Sequence, residues 1–137
     1  MKTQDIMTSH VETITPTEST KDAAVKMRNL HIGALLVVDA GQLVGIITDR
    51  DICCKVIATG RDAVMTQVKE VMITDVTTCF DDQDITDAAK IMAERHVRRV
   101  PILHHDNSLA GLLSIDDLAR TSHDLAGTVL EANRPIH

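Results

Sequence analysis

The apolar positions of the chain follow one pattern twice. Each copy has a short extended stretch, a stretch with apolar residues at helical spacing, two apolar runs typical of neighbouring strands, and the start of a last helix. In the first copy these are residues 12–15, a helix after Ser19, residues 34–39 and 43–48, and a helix from Asp49. In the second copy they are residues 77–80, a helix after Asp84, residues 99–104 and 109–114, and a helix from Ile115. The pattern predicts an α/β (α+β) fold of tandem β-α-β-β-α repeats.

A comparison of the chain with itself supports the duplication. At an offset of 65 positions, eight of the 32 residues from Met7 to Val38 are identical to their counterparts. After one inserted residue, in a polar turn that tolerates it, the offset becomes 66 and the matching continues from Leu43 to Asp51. We therefore predict a first repeat at 5–58, a connector at 59–69, a second repeat at 70–120 and a loose C-terminal tail at 121–137, with Pro135 near its end.

Composition limits the classes of function. Of the 137 residues, 44% are apolar, and the core has to be aliphatic because Phe80 is the only aromatic residue. The formal net charge of −6 argues against nonspecific binding of a nucleic-acid polymer, which requires Lys and Arg to neutralise phosphates. No apolar run predicts a membrane span, and residues 1–10 lack the apolar stretch of a signal peptide. The cysteines do not form the pattern of a disulfide framework, so we expect a cytoplasmic protein.

Two short motifs give the repeats a family resemblance. They are GIITDRD at 45–51 and GLLSIDD at 111–117, both of the form G-h-h-[S/T]-x-x-D, where h is an apolar residue. The segment His96–Ile102 is similar to the second strand of the same family and its entry. Residues 5–120 thus resemble a pair of CBS domains, named after cystathionine beta-synthase and together called a Bateman module. The resemblance, nearest to stand-alone proteins of the hypoxic-response type, implies repeats packed about a pseudo-two-fold axis, a ligand cleft between them and a homodimer.

The end of each motif has chemistry suited to a nucleotide. A helix begins just after Thr48, and free backbone N–H groups at a helix start bind phosphate well. The Thr48 hydroxyl is a further donor, and an ionised Asp51 accepts hydrogen bonds from a ribose diol, the role that the resemblance implies for it. Ser114 and Asp117 repeat this pair. The alternative is structural: the two hydroxyl residues are N-caps, and the two aspartates interact with the helix dipoles.

A basic pair makes the two copies unequal. Arg98 and Arg99 open a strand of the second repeat, and an arginine binds phosphate through two parallel hydrogen bonds. Their counterparts in the first repeat, Gly33 and Ala34, carry no charge. The alternative for the two arginines is a solvated pair, or a pair that forms salt bridges with the aspartates at 81, 82 and 84.

The resemblance also implies which residues share a site. In the family, the [S/T]-x-x-D of one repeat lies opposite the residues that open the second strand of the other repeat. One predicted site, for the anionic phosphate, joins Thr48 and Asp51 with Arg98, Arg99 and Pro101. The other, which takes a less charged adenosine compound or stays empty, joins Ser114 and Asp117 with Gly33 and Ala34. Val11 and Val76, which precede the first strand of each repeat, are the expected apolar neighbours of an adenine ring.

These expectations describe a regulatory module that binds AMP, ADP, ATP or a related adenosyl ligand and signals by rearranging a homodimer or an unknown regulated partner. No catalytic triad, P-loop or G-x-G-x-x-G motif is present, so we expect neither an enzyme nor a cofactor beyond the nucleotide. Two alternatives stay open. One is a ligand-independent interaction protein with degenerate sites, and the other is a metal- or redox-responsive module that uses Cys53, Cys54 and nearby histidines.

The histidines and cysteines also have simpler interpretations. His104 and His105 lie at a predicted hairpin turn, where exposure is ordinary, and the sequence has no C-x-x-C. His31 and His96 occupy matched helix ends, where an imidazole interacts favourably with the helix dipole. The adjacent thiols at 53 and 54 are expected to be small, buried residues of the first repeat's last helix. No metal site is predicted.

Overall fold

The computed structural model describes residues 1–134, which form two compact units. The first is the continuous segment Glu12–Val76, here called the middle unit. The second, here called the terminal unit, combines Met1–Val11 with the chain from Thr77 onward. The first residues of each predicted repeat, 5–11 in the first and 70–76 in the second, are here called its leading segment. Each leading segment therefore belongs to the unit that holds the other repeat's sheet. Residues 135–137 of the predicted tail, Pro135 among them, lie outside the described residues.

The order of secondary-structure elements confirms the predicted duplication. In chain order the elements are α1 (Thr3–Ile6), β1 (Thr13–Ile14), α2 (Thr20–Leu30), β2 (Ala34–Asp39), β3 (Gln42–Thr48), α3 (Asp49–Ile52), a π-helical turn (Cys53–Ile57), a 3-10 turn (Val68–Glu70), β4 (Cys79–Phe80), α4 (Ile85–Glu94), β5 (Arg99–Leu103), β6 (Leu109–Ser114), α5 (Ile115–Thr121) and α6 (His123–Ala132). The fold is mixed α+β with one three-stranded sheet in each unit, β1-β2-β3 and β4-β5-β6.

Both sheets have the same topology. β1 runs parallel to β2, with Thr13 opposite Leu36, and β2 runs antiparallel to β3. β4 runs parallel to β5, with Phe80 opposite Leu103, and β5 runs antiparallel to β6. The parallel pair needs a crossover, which α2 and α4 supply, whereas the antiparallel pair is joined by a tight hairpin turn.

Local sequence explains where the crossover helices begin and end. Ser19 accepts a hydrogen bond from the Asp22 N–H at 3.0 Å, and Asp84 accepts one from the Thr86 N–H at 2.8 Å, so both predicted N-caps are confirmed. Past the helix ends, His31 and His96 have left-handed backbone with φ of 55° and 56°. A single residue in this conformation reverses the chain and ends a helix.

The core of each unit is aliphatic, as the composition requires. In the middle unit the buried core residues come from both the sheet and the helices: Ile14, Ala23, Met27, Leu35, Val37, Ile47, Ile52, Val56, Val68 and Val71. In the terminal unit they are Cys79, Ile85, Ala88, Ala89, Met92, Val100, Ile102, Leu113, Ile115, Leu118, Ala126 and Val129. Met27 and Met92, equivalent residues of α2 and α4, fill corresponding places in the two cores.

The leading segments extend the edges of both sheets. In the middle unit Ile73 pairs with Ile46 of β3, through N–H to O distances of 2.8 and 2.9 Å. In the terminal unit Thr8 pairs with Leu112 of β6, with both distances 2.9 Å. At these points the free backbone groups of β3 and β6 are bonded by the leading segment of the other repeat.

Two sequence predictions about the tail and the cysteines are wrong in the structure. The predicted loose tail holds α6, whose Ala126 and Val129 are buried in the terminal unit's core, because its apolar residues recur at helical spacing. Cys53 and Cys54, predicted to be buried, are both exposed, because in the π-helical turn Val56 is the residue that points into the core.

Candidate ligand site

The first motif ends in a closed set of hydrogen bonds at the start of α3. The Thr48 backbone N–H and hydroxyl donate to Asp51 Oδ2 at 2.9 and 3.0 Å. The Asp51 N–H donates back to the Thr48 hydroxyl oxygen at 3.1 Å. Asp51 is only 6% exposed. This reciprocal arrangement is a capping box, so the predicted alternative of an N-cap is confirmed for Thr48.

A lysine completes the bonding of the buried Asp51 carboxylate. Lys55 lies one turn further on, and its Nζ is 3.0 Å from Asp51 Oδ1. The same ammonium donates to the backbone carbonyl of Val71 at 3.1 Å. Burial of an unpaired charge is costly, and the lysine together with the capping box removes that cost. Sequence reasoning missed Lys55, although its position four residues after Asp51 is the usual spacing of a helical ion pair.

The second motif has the same arrangement with different partners. Ser114 and Asp117 form the equivalent capping box, with distances of 2.9 to 3.2 Å. The other carboxylate oxygen of Asp117 lies 3.1 Å from Arg120 Nη1 and accepts a hydrogen bond of 3.4 Å from the Thr8 hydroxyl. Asp117 is 5% exposed. Arg120 and Thr8 were also missed from the sequence, the latter because it comes from a segment 109 residues away.

The backbone N–H groups at the start of α3 are not free, which corrects the expectation that they are available to a phosphate. The Asp49 N–H donates to the Gly33 carbonyl at 2.9 Å, and the Arg50 N–H donates to Asp49 Oδ1 at 2.8 Å. The next N–H, of Asp51, belongs to the capping box. In the terminal unit the Ile115 N–H likewise donates to the Arg98 carbonyl at 2.9 Å.

The strand register shows which strand-entry residue lies beside each motif in the same unit. Ala34 lies opposite Thr48 in the middle unit, and Arg99 lies opposite Ser114 in the terminal unit. Arg98 and Arg99 are exposed, and neither guanidinium has a hydrogen bond or ion pair among residues 1–134. The alternative of a salt bridge to the aspartates at 81, 82 and 84 is therefore not found in this part of the chain.

The remaining predicted site residues are divided between the two units. Pro101 is buried in β5, opposite Leu112 of β6. Val11 is a half-buried residue at the end of the terminal unit's leading segment, and Val76 is the half-buried last residue of the middle unit. Their predicted contact with an adenine ring stays a prediction, as does the pairing of each motif with the other repeat's strand entry.

Metal binding through the adjacent cysteines has no support in the described structure. Within residues 1–134, neither Cys53 nor Cys54 belongs to a set of three or more His, Cys, Asp or Glu side chains whose ligand atoms converge. Across the same residues, every helix is too short or too polar to cross a membrane.

Two sheet-and-helix units built from one duplicated sequence, each with a capped and buried carboxylate, define a tandem-repeat module. The family model of the CBS domain matches residues 4–57 and 68–124, and the chain belongs to this family. CBS modules are generally regulatory and bind ligands, and proteins that consist of them alone are generally not catalytic.

Three proteins illustrate the relationship. The chain is 38% identical to the CBS domain-containing protein YhcV of Bacillus subtilis over 129 residues, which cover 93% of this chain and 91% of YhcV. It matches the crystal structure of Hypoxic Response Protein I, solved with two coordinated zinc ions, with a TM-score of 0.79 and 33% identity over 88% of this chain and 98% of that one. A hexameric CBS-CP12 protein from bloom-forming cyanobacteria matches with a TM-score of 0.75 and 28% identity over 89% of this chain and 68% of that one.

Proposed function

We propose that this protein is a regulatory module that binds AMP, ADP, ATP or a related adenosyl ligand. The observation that carries the proposal is the exposed pair Arg98 and Arg99, whose guanidinium groups have no partner among residues 1–134. A guanidinium group without an ion-pair partner is able to bind an anionic phosphate through two parallel hydrogen bonds. The ligand-binding character of the family supports the same proposal.

The proposed sites keep the composition that the sequence indicates. Thr48 and Asp51 act with Arg98, Arg99 and Pro101, and this site takes the phosphate. Ser114 and Asp117 act with Gly33 and Ala34, and this site takes a less charged compound or stays empty. Val11 and Val76 are the proposed apolar neighbours of an adenine ring. Because the capping boxes use one oxygen of each carboxylate, a ribose hydroxyl has to compete for the other oxygen. At the first site that oxygen is bonded to Lys55, whose side chain is 47% exposed and can rotate into solvent.

Nucleotide titration tests the proposal directly. Protein stripped of ligand by unfolding and refolding is titrated calorimetrically with AMP, ADP and ATP, and its melting temperature is followed with each. A nucleotide at 100 times its Kd stabilises the folded state by about 2.7 kcal/mol, which is easily measured as a shift in Tm. Absence of both heat and a Tm shift with all three nucleotides contradicts the proposal.

Charge-removal variants test which residues bind the phosphate. Replacement of both arginines, Arg98→Gln with Arg99→Gln, is expected to weaken ATP binding by about ten- to a hundredfold, since a hydrogen bond to a charged group contributes about 1.5–3 kcal/mol. Arg95→Gln is the matched control, because Arg95 is an exposed arginine just past α4 that lies outside the proposed site. Equal losses in the double variant and in the control would mean that only the net charge matters.

Signalling requires that the ligand favour one of two assembly states. CBS neighbours self-associate, as in the hexameric cyanobacterial protein, and we propose a homodimer for this chain. Light scattering with and without nucleotide measures the assembly. A 15.0 kDa particle under both conditions contradicts this part of the proposal.

We also propose a cytoplasmic location, since all three cysteines are free thiols and a reducing compartment keeps them so.

A second candidate function is a ligand-independent interaction module. It is favoured by the hydrogen-bonded state of the motif: both oxygens of Asp51 and of Asp117 already have partners within their own unit. If this is correct, nucleotides produce no heat, and the Asp51→Asn and Asp117→Asn variants change stability alone.

A further inference from the structure

A mixed cluster of imidazoles and carboxylates lies at one end of the terminal unit's sheet. Asp81 and Asp82 directly follow β4, and His104 and His105 directly follow β5. Because β4 and β5 are parallel neighbours in register, the residues that follow them lie side by side. His104 Nδ1 is 2.9 Å from Asp81 Oδ2, and His105 Nε2 is 2.7 Å from Asp82 Oδ2.

Three of these side chains bring their ligand atoms close together. Asp81, Asp82 and His105 each offer one ligand atom, and these atoms all lie within 4.8 Å of one another. A metal ion that is about 2.0–2.2 Å from its nitrogen and oxygen ligands separates those ligand atoms by roughly 3 to 3.5 Å. To form the site, the ligand atoms therefore have to approach one another by at most about 2 Å through rotation of their side chains. His104 is bonded to Asp81 and orients that carboxylate, as an outer hydrogen-bond partner commonly does at metal centres.

The imidazole of His105 is already oriented by its neighbour. Its ring stacks on the Phe80 ring with centroids 4.6 Å apart and an interplanar angle of 14°. The Phe80 N–H is in turn bonded to Gln83 Oε1 at 2.7 Å. Stacking restricts the imidazole to one plane, so less conformational entropy is lost when a ligand is bound.

The cluster belongs to one repeat only. At the offset of 65, the residues equivalent to Asp81, Asp82, His104 and His105 are Pro16, Thr17, Asp39 and Ala40. The middle unit forms the same three-stranded sheet without imidazoles at this place. The three-stranded sheet therefore forms without such a cluster.

We propose that Asp81, Asp82 and His105 bind a divalent transition-metal ion of the zinc class, with His104 as the positioning residue for Asp81. A set that mixes imidazole with carboxylate suits Zn²⁺, whereas Mg²⁺ and Ca²⁺ prefer oxygen ligands alone. Three protein ligands leave a fourth tetrahedral position for water or for a side chain of another molecule. This site is separate from the proposed nucleotide site and does not depend on it.

Metal titration of the whole chain tests the proposal. Tag-free protein treated with EDTA is titrated calorimetrically with ZnCl₂, and Co²⁺ is used as a spectroscopic probe of the ligand set. One ion per chain is expected. Asp82→Asn and His105→Gln should each weaken binding at least tenfold, and His104→Gln should weaken it by about tenfold through loss of positioning. His123→Gln is the control, since His123 is an exposed histidine on α6 outside the cluster.

The outcomes separate a built site from incidental binding. No heat at about 1 mM free Zn²⁺ overturns the proposal. So does equal affinity in the wild type and in the cluster variants, because that result describes an adventitious ion only. The cluster residues are mostly exposed, and circular dichroism of each variant verifies that a loss of binding is not a loss of fold. Protein that binds zinc but no nucleotide retains this inference and rejects the proposed function.

Discussion

Gly45 of β3 lies directly against the backbone of Ile73. A Cβ built on Gly45 would be 2.8 Å from the Ile73 carbonyl oxygen, closer than such atoms approach one another in proteins. The same contact occurs in the terminal unit, where a Cβ on Gly111 would be 2.7 Å from the Thr8 carbonyl oxygen. Glycine at the first position of the motif therefore allows each leading segment to bond to the sheet edge.

Alanine at either glycine is expected to destabilise its unit. Gly45→Ala forces the backbone at Ile73 to move, because the Ile73 carbonyl oxygen belongs to a segment paired with β3 and cannot rotate away. Overpacking of this kind costs about 1–3 kcal/mol. Urea unfolding monitored by circular dichroism measures the change, and Gly111→Ala should lose a similar amount.

Gly127→Ala serves as the matched control for these glycine variants. Gly127 lies in α6, and nothing lies within 4 Å of a Cβ built on it. This variant should gain about 0.5–1 kcal/mol, since alanine is the better helix former. A gain in stability in Gly45→Ala as well would contradict the close approach.

The order of elements could be predicted from the sequence because it depends on local signals. Periodic apolar residues, Ser19 and Asp84 as N-caps and the duplicated motif each act within a few residues. The role of Gly45 could not be predicted, because it depends on contact with Ile73, a residue far along the chain. No local pattern shows that the segment around Ile73 pairs with β3. For the same reason the contact between Thr8 and Asp117 was missed.

The capping box predicts a large cost for the loss of Asp51. Asp51→Ala removes the acceptor of the Thr48 N–H and hydroxyl and leaves Lys55 without its partner. We expect a loss of about 2 kcal/mol in the free energy of unfolding, since buried donors left unsatisfied cost about 1–3 kcal/mol. Asp22→Ala is the control, because Asp22 is also the third residue of a helix but its side chain is exposed. A change above about 1 kcal/mol in the control would show that the helix dipole, not the capping box, dominates.

The ion pair of Asp82 and His105 predicts a pH-dependent contribution to stability. The hydrogen bond and charge of Asp82 raise the pKa of His105 above its ordinary 6.5, and the same contact lowers the pKa of Asp82 below 3.8. The stabilisation from His105 is thus complete below about pH 6.5 and is lost as pH rises through its folded pKa. The stabilisation from Asp82 is present above about pH 3.8 and is lost as pH falls through its folded pKa.

The measurement is the difference in Tm between the wild type and Asp82→Asn, in EDTA, from pH 3 to pH 9. The difference should be largest near pH 5 and should shrink towards both ends of the range. Asp75→Asn is the control, since Asp75 is an exposed aspartate outside the cluster. A difference that stays constant across the range would show that the pair forms no ionic contact in solution.

The three cysteines are expected to differ sharply in reactivity. Burial, with a smaller contribution from the charge of Asp87, raises the pKa of Cys79 to about 11, whereas Cys53 and Cys54 are exposed. The thiolate is the reactive form, so a disulfide reagent at pH 8 should label two thiols rapidly in the native protein and the third only after unfolding in guanidinium. A Cys53→Ser, Cys54→Ser double variant should show no rapid labelling. Rapid labelling of that variant would mean that the core around Cys79 opens readily. Since the unfolded chain deprotonates Cys79 first, the free energy of unfolding should also fall as pH rises past about 9.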